Sequence, residues 1–246
     1  MRILRVSNKN SLIEFAATRL AKIIIATLEH NDTFSLVLSG GSTPKPIYER
    51  LAQPDLAEHI NWSKVYIFFG DERTVPPDHA DSNYRMANEA LFQHVPLPAA
   101  NIYRMHGEDE PHQAASDYEA AIRDYMGETQ PGFDMVLLGM GDDGHTASLF
   151  PGTAALHEHD KWVMANEVPQ HHTWRLTMTV PLLNISENIM FLVAGSSKTD
   201  TLKAVLEGPK QPDVYPSQLI HPENEMVTWL VDAEAGAILT HVDKDI

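Results

Sequence analysis

Five short apolar runs, each about as long as a buried β-strand, recur along this chain of 246 residues. They occupy residues 34–38, 65–69, 135–138, 189–193 and 227–231. Between them lie segments whose apolar residues recur at helical spacing, such as 11–30 and 108–126. Strands that alternate with helices form parallel sheets, because each helix returns the chain to the same edge. We therefore predict an α/β fold with a mostly parallel, Rossmann-like sheet flanked by helices.

The order of these segments also predicts how the sheet starts and ends. The helix at 11–30, with Ser11 as its expected N-cap, comes first, and the strand at 227–231 closes the sheet. No internal repeat, low-complexity tract or linker separates one part of the sequence from another. We therefore expect a single α/β domain over residues 1–246.

The charge balance limits the classes of partner. With 34 acidic and 18 basic residues, the net charge is −16, whereas nucleic-acid backbones are bound by an excess of Lys and Arg. A small anion remains compatible, because a few bases in one cleft can oppose the overall sign. No apolar run has the length of a membrane span, the apolar region at the amino terminus is too short for a secretory signal, and cysteine is absent. We expect a cytoplasmic protein without nucleic-acid or membrane partners.

The motif at residues 134–151 (DMVLLGMGDDGHTASLFP) joins a buried run to a loop rich in glycine and aspartate. His145 stands in this loop at the carboxyl end of a strand, where open α/β sheets bind their ligands. Histidine exchanges protons readily near neutral pH, and Asp143 can fix its tautomer by accepting a hydrogen bond. The motif predicts a general base with an orienting acid; the alternative is a surface histidine in a glycine-rich turn. Residues 146–148 are expected to open a helix.

A second loop of the same kind lies at residues 39–44 (SGGSTP), between a strand and a helix. Gly40 and Gly41 allow backbone N–H groups to face an anion, and Ser42 or Thr43 can cap the helix while donating a hydroxyl. The spacing matches neither a Walker A loop nor a dinucleotide fingerprint. The loop therefore predicts phosphate binding without a nucleotide, and the alternative is a capped turn that binds nothing.

Three further strands carry charged residues that such a site could use. Asp71 and Arg73 follow the run at 65–69, and Lys198 follows the run at 189–193, before a helix. Arg175 lies on one face of an alternating strand. Taken alone, Asp71 and Arg73 have an ordinary interpretation as part of a solvated ion pair, Arg175 as an exposed strand residue, and Lys198 as a lysine at a helix start.

Histidines in the second half of the chain do not indicate a metal site. The histidines concerned are His157, His159, His171 and His172. No pair of them has the helical spacing and the partnering acid that metal sites show. We predict no metal and no cofactor.

Taken together, these motifs resemble those of the 6-phosphogluconolactonase family of the oxidative pentose phosphate pathway. The motifs that carry the resemblance lie in order at 38–44, 69–73, 82–84, 139–150, 175–177 and 195–198. Glucosamine-6-phosphate deaminases and ribose-5-phosphate isomerases have a similar fold, as do sugar-phosphate sensor domains. The deaminases typically have Ile-Ala-Phe at 146–148 and Tyr at 73, where this chain has Thr-Ala-Ser and Arg. Lactonases often have prolines before the arginine strand, whereas here residues 169–174 read PQHHTW.

The resemblance implies hydrolysis of 6-phospho-D-glucono-1,5-lactone without a cofactor. It implies that His145 activates water and that Asp143 orients His145. It also implies that Arg73, held by Asp71, stabilises charge on the carbonyl oxygen or orients the substrate. The implied phosphate ligands are Gly40, Gly41, Ser42, Thr43, Arg175 and Lys198. The remaining alternatives are a deaminase or isomerase of the same fold and a sugar-phosphate sensor, although this chain leaves no room for the DNA-binding module that usually accompanies a sensor.

Overall fold

The structure, a computed structural model, describes residues 1–127 and 132–246. Its strands are β1 (Arg2–Val6), β2 (Phe34–Leu38), β3 (Val65–Phe69), β4 (Asp71–Arg73), β5 (Met135–Gly139), β6 (Val163–Val168), β7 (Thr173–Met178), β8 (Ile189–Val193), β9 (Val227–Asp232) and β10 (Lys244–Asp245). Its α-helices are α1 (Lys9–Leu28), α2 (Pro44–Leu51), α3 (Pro54–Ala57), α4 (Asn83–Ala90), α5 (Pro111–Met126), α6 (Val180–Asn184) and α7 (Thr199–Glu207).

Seven strands form one parallel sheet in the order β10-β1-β9-β8-β5-β2-β3. Successive side chains of a strand point to opposite faces, and here both faces are covered. On β2, Leu36 and Leu38 pack in the cluster that contains α1, α2 and α4, whereas Val37 packs in the cluster that contains α5. This double burial explains why the strands read as continuous apolar runs, and the predicted mostly parallel α/β fold is confirmed.

A second, antiparallel sheet of three strands, in the order β4-β7-β6, adjoins the carboxyl end of β3. Gly70 connects β3 to β4, and its carbonyl accepts a hydrogen bond of 2.8 Å from the backbone N–H of Met178. In the β4–β7 register, Arg73 lies opposite Arg175. The small sheet therefore fixes the direction in which the chain leaves the central strands. Of its three strands, the sequence predicted only β7.

The predicted start and end of the sheet were wrong. The strand β1 precedes α1 and pairs with β9, so β9 is an interior strand and the carboxyl-terminal β10 forms the edge. Arg2 and Arg5 interrupt the apolar residues of β1, which hides its strand character. The N-cap of α1 is Asn8, whose side chain accepts the backbone N–H of Ser11 at 3.0 Å, so Ser11 lies inside the helix.

The helix expected to open at 146–148 is absent. Ala147 has a φ of +46°, a left-handed conformation that interrupts a right-handed helix, and Thr146 forms a β-bridge with Leu149 instead. The next helical segment is the short 3-10 turn Ala154–His157. In the described residues, no helix has both the length and the apolar character that crossing a bilayer requires.

Candidate active site

A cavity of about 420 Å³ opens at the carboxyl ends of β2, β5 and β8, with α1 contributing its first turn. Parallel strands bring their carboxyl ends to one edge, so loops that are far apart in sequence meet there. The charged and polar side chains that line the cavity come from Lys9, Ser39, Ser42, Thr43, Asp71, Arg73, Asn83, Asp142, His145, Thr146, Ser197 and Lys198. The two glycine-rich loops predicted to form a site thus share one cavity.

His145 is oriented by Asp143. The distance from His145 Nδ1 to Asp143 Oδ1 is 2.6 Å, and the same oxygen accepts the backbone N–H of His145 at 3.1 Å. An ionised carboxylate only accepts, so Nδ1 donates its proton to Asp143, and in the neutral imidazole Nε2 keeps its lone pair. Partial burial is the largest single influence and raises the pKa of Asp143, but the hydrogen bond and charge of His145, together with backbone hydrogen bonds, outweigh it, so the net pKa lies below the usual value. Asp143 is therefore ionised at neutral pH.

The turn around His145 leaves no room for a side chain at residue 141. The backbone N–H of Gly141 donates to the carbonyl of His145 at 2.8 Å, which closes the loop. A Cβ at Gly141 would lie 2.1 Å from His145 Nδ1 and 2.6 Å from Asp143 Oδ1. The glycine in the motif therefore permits the contact between the imidazole and its carboxylate.

Phe150 packs against the imidazole ring of His145. The ring centroids of His145 and Phe150 are 4.0 Å apart with an interplanar angle of 27°, and Phe150 is buried. His171, in the turn before β7, meets the Phe150 ring edge-on at 5.3 Å. Aromatic contacts of this kind restrict the ring's rotation. Sequence reasoning did not assign Phe150 a role, although it belongs to the central motif.

The loop before α2 offers backbone donors to the cavity. Within the described chain, the backbone N–H groups of Gly41, Ser42 and Thr43 donate to no acceptor. Thr43 occupies the N-cap position of α2, but its side chain makes no capping hydrogen bond, so the predicted cap by Ser42 or Thr43 is not formed. Uncommitted N–H groups at the start of a helix suit an anion.

Lys198 lies across the cavity in the loop between β8 and α7. Its Nζ contacts Asp142 Oδ1 at 2.6 Å, and Ser197 Oγ donates to the same oxygen at 3.2 Å. Lys9, in the first turn of α1, adds another cation to the cavity wall. Asp142 and Lys9 were not anticipated; the only signal was the consecutive pair of acids in the central motif.

The structure contradicts the expected contact between Asp71 and Arg73. Asp71 is buried, and its carboxylate accepts hydrogen bonds from Ser148 Oγ at 2.7 Å and Asn83 Nδ2 at 3.2 Å. The guanidinium of Arg73 instead donates to the backbone carbonyl of Asp81. Side chains two residues apart on a strand share a face, so Asp71 and Arg73 lie on the same side of β4. They nevertheless bind different partners. Asp71 thus joins the histidine loop to α4.

Arg175 is placed beside Arg73 on the neighbouring strand and is not part of the cavity lining. Its Nη1 donates to Thr173 Oγ1 and to the carbonyl of Trp174, both at 3.2 Å. Burial and the neighbouring charge of Arg73 lower the pKa of Arg175. The structure therefore does not bring Arg175 together with Ser42 and Lys198, and its phosphate contact stays a prediction.

Glu72 supports this wall of the cavity from inside the protein. Its carboxylate accepts the backbone N–H groups of Asn83 and Tyr84, each at 2.8 Å, and the hydroxyl of Ser82 at 3.0 Å. These bonds satisfy the free N–H groups that begin α4. Burial raises the pKa of Glu72, although the backbone N–H groups partly offset the effect. Glu72 therefore holds Asn83 at the cavity.

No group of three or more His, Asp or Glu side chains among residues 1–127 and 132–246 is arranged to hold a metal ion. The cavity instead combines cations, hydroxyls and backbone N–H groups with one oriented imidazole. Such a set can bind an anionic ligand and remove a proton from water or substrate.

Comparison with known proteins shows the family of this chain. Residues 7–229 match the family described as glucosamine-6-phosphate isomerases/6-phosphogluconolactonase. A 6-phosphogluconolactonase from Synechocystis is 42% identical over 234 residues, which cover 93% of this chain and 94% of the relative. One from Haemophilus influenzae is 35% identical over 226 residues, covering 92% and 96%.

Solved structures show the same fold. A 6-phosphogluconolactonase from Thermotoga maritima superposes with a TM-score of 0.81 at 29% identity, covering 94% of this chain and all of the other. A monomeric glucosamine-6-phosphate deaminase superposes with a TM-score of 0.82 at 23% identity, covering 97% and 100%, which shows that the fold is shared with that group. The chain therefore belongs to the glucosamine-6-phosphate isomerase/6-phosphogluconolactonase family and, among its members, is a hydrolase that groups with the 6-phosphogluconolactonases.

Proposed function

We propose that this protein hydrolyses 6-phospho-D-glucono-1,5-lactone to 6-phospho-D-gluconate, with His145 as the general base. The protein would act as a single cytoplasmic α/β domain in the oxidative pentose phosphate pathway. The observation that carries the proposal is the 2.6 Å contact between His145 Nδ1 and Asp143 in a cavity that also holds Lys198. The relatives at 42% and 35% identity, both named 6-phosphogluconolactonase, support this choice of substrate.

In the proposed reaction, His145 Nε2 removes a proton from water while the water oxygen attacks C1 of the lactone. The carbonyl electron pair moves to oxygen, and the tetrahedral intermediate collapses by breaking the bond between C1 and the ring oxygen. The imidazolium returns its proton to that ring oxygen, which becomes the C5 hydroxyl. The new carboxylic acid ionises in solution. Asp143 stabilises the imidazolium that forms between the two transfers.

Arg73 is the proposed group for the developing negative charge on the carbonyl oxygen. One guanidinium N–H is used by the carbonyl of Asp81, which holds the side chain at the cavity wall, and a guanidinium has further N–H groups to donate. Positioned donors of this kind stabilise charge that develops only in the transition state. Loss of Arg73 should therefore lower kcat more than it raises KM.

The phosphate is assigned to the loop before α2 and to Lys198. The free N–H groups of Gly41, Ser42 and Thr43 and the ammonium of Lys198 line the same cavity. Gly40 precedes them, and Arg175 would contribute only if its side chain left its contacts with Thr173 and Trp174. An anchor at the far end of the substrate holds the ester near the base.

The test is a coupled assay in which glucose-6-phosphate dehydrogenase generates the lactone and 6-phosphogluconate is followed against the spontaneous rate. His145→Ala should lower the catalysed rate about 100- to 10,000-fold, the usual effect of removing a general base. The matched control is His157→Ala, because His157 is exposed and pairs with Asp213 away from the cavity. A His145→Ala protein with activity close to the parent would remove His145 from the mechanism.

Two other functions share the fold and are separated by simple measurements. A deaminase would release ammonia from glucosamine 6-phosphate, and we expect none. A sugar-phosphate sensor would bind the phosphorylated sugar without turning it over, so product formation above the spontaneous rate excludes it.

A further inference from the structure

Asp142 occupies a position in the cavity that the proposed reaction does not explain. It precedes Asp143 in the central motif, but whereas Asp143 contacts His145, the carboxylate of Asp142 contacts Lys198 Nζ at 2.6 Å. Its backbone carbonyl accepts a hydrogen bond of 2.6 Å from Thr201 Oγ1, which ties the loop to α7. The backbone of Asp142 is thus anchored while its side chain remains 69% exposed. Such a side chain can move without disturbing the loop.

The carboxylate of Asp142 is ionised at working pH. The hydrogen bond from Lys198 lowers the pKa of Asp142, so its carboxylate is charged at neutral pH and above. Ser197 Oγ, which donates to the same carboxylate oxygen, adds a second contact of the kind a phosphate oxygen would accept. In the absence of substrate, the Asp142 carboxylate therefore satisfies the donors that a phosphate would use.

We propose that Asp142 competes with the phosphate of the substrate for Lys198 and thereby sets the affinity of the cavity for phosphorylated ligands. The inference rests on the proposed function, which assigns Lys198 to the phosphate. Substrate and product carry the same phosphate, so competition weakens the binding of both by the same factor. Interactions that are equal in the ground and transition states change KM rather than the chemical step. Asp142 is in this sense a residue that determines affinity and is not a catalytic residue.

The test compares Asp142→Asn with Asp213→Asn. Asp213 has the same side-chain exposure, 69%, but pairs with His157 outside the cavity, so the two variants lose the same charge. We measure the KM for the lactone, and the dissociation constant of inorganic phosphate by titration calorimetry, at one ionic strength. Asp142→Asn should lower both constants about two- to fivefold, the range of an exposed ion pair. Asp213→Asn should change neither.

A second pair of variants tests whether Asp142 acts through Lys198. In a Lys198→Ala background, adding Asp142→Asn should no longer tighten phosphate binding, because the cation over which the two anions compete is gone. The same gain in both backgrounds would mean a general charge effect and would overturn the proposal. A higher KM in Asp142→Asn, an effect confined to kcat, or no phosphate binding by either protein would also overturn it.

The phosphate titration separates this inference from the proposed function. It needs no turnover, so a protein without lactonase activity would refute the proposed function while the dissociation constants still report on Asp142. Conversely, if the protein is an active lactonase and Asp142→Asn leaves the dissociation constant of phosphate unchanged, only the proposed competition is refuted.

Discussion

Replacing Gly40 by alanine gives the most direct test of how the cavity wall is built. A Cβ at residue 40 would lie 1.9 Å from Asn83 Oδ1, 2.4 Å from its Cγ and 2.7 Å from its Nδ2. The backbone of Gly40 has no positive φ, so the substitution adds a clash rather than a strained dihedral angle. Because Asn83 is buried, its side chain has to leave its place to make room.

The free energy of this change follows from the contacts that Asn83 would lose. Its Nδ2 donates to the backbone carbonyl of Asp71 at 2.9 Å and to the carboxylate at 3.2 Å. A neutral hydrogen bond contributes about 1 kcal/mol and one to a charged group about 1.5–3 kcal/mol. Overpacking a buried site typically costs about 1–3 kcal/mol, part of which is the same loss. We expect Gly40→Ala to lower the free energy of unfolding by about 2–4 kcal/mol.

Urea denaturation and thermal melting measure the effect, and a chain of this size should lose about 5–15 °C in Tm. The matched control is Gly70→Ala, where a Cβ would be 3.6 Å from Val37 Cγ1 and 3.7 Å from the carbonyl of Leu38, an ordinary contact distance. We expect no loss of stability there. In an Asn83→Ala background, Gly40→Ala should cost less than half as much. An equal cost in both backgrounds, or a stable and fully active Gly40→Ala protein, would refute the reasoning.

Three further outcomes follow from the contacts of the site. Phe150→Leu, which removes the ring stacked on His145, should lower kcat about 10- to 100-fold at similar KM, and Phe150→Tyr should restore it. The pKa of Asp143 is lower in the folded state, so its stabilisation is present at neutral pH and is lost as the pH falls through that pKa. The stability difference between the parent and Asp143→Asn, followed by urea denaturation, should therefore shrink below pH 3.8. Ser148→Ala, which removes the donor to Asp71, should cost about 1–3 kcal/mol of unfolding free energy at neutral pH.

Much of this fold could be predicted because local pattern and tertiary environment agree. The runs at β2, β3, β5 and β8 are largely buried on both faces, so apolar residues predominate in them, with Ser35 as a polar exception in β2. The loops that follow β2 and β5 are rich in glycine, which indicated their place in the site. The shared cavity then follows from topology alone, because the carboxyl ends of parallel strands lie at the same end of the sheet.

Other features depend on contacts between residues far apart in sequence. The strand β1 contains two arginines and is recognised only through its pairing with β9. The partners of Asp71 lie 12 residues away at Asn83 and 77 residues away at Ser148, and no local pattern relates them. For Asp71 we expected a contact with Arg73, two residues away in sequence. Its actual partners are distant in sequence and are brought close by the fold.

The missing helix after His145 shows why the site required a departure from local preference. Within four residues, His145 Nδ1 contacts Asp143, Thr146 Oγ1 donates to the carbonyl of Gly139 at 2.8 Å, and Ser148 Oγ donates to Asp71. A helix rotates successive side chains by a fixed 100°, which cannot serve partners placed as differently as Asp143 in the same loop, Gly139 on β5 and Asp71 on β4. The left-handed Ala147 reverses the chain between them, at a cost of about 1–3 kcal/mol. The hydrogen bonds of Thr146 and Ser148 offset that strain. The conformation that positions the proposed base is therefore maintained by two of the residues whose types predicted the start of a helix.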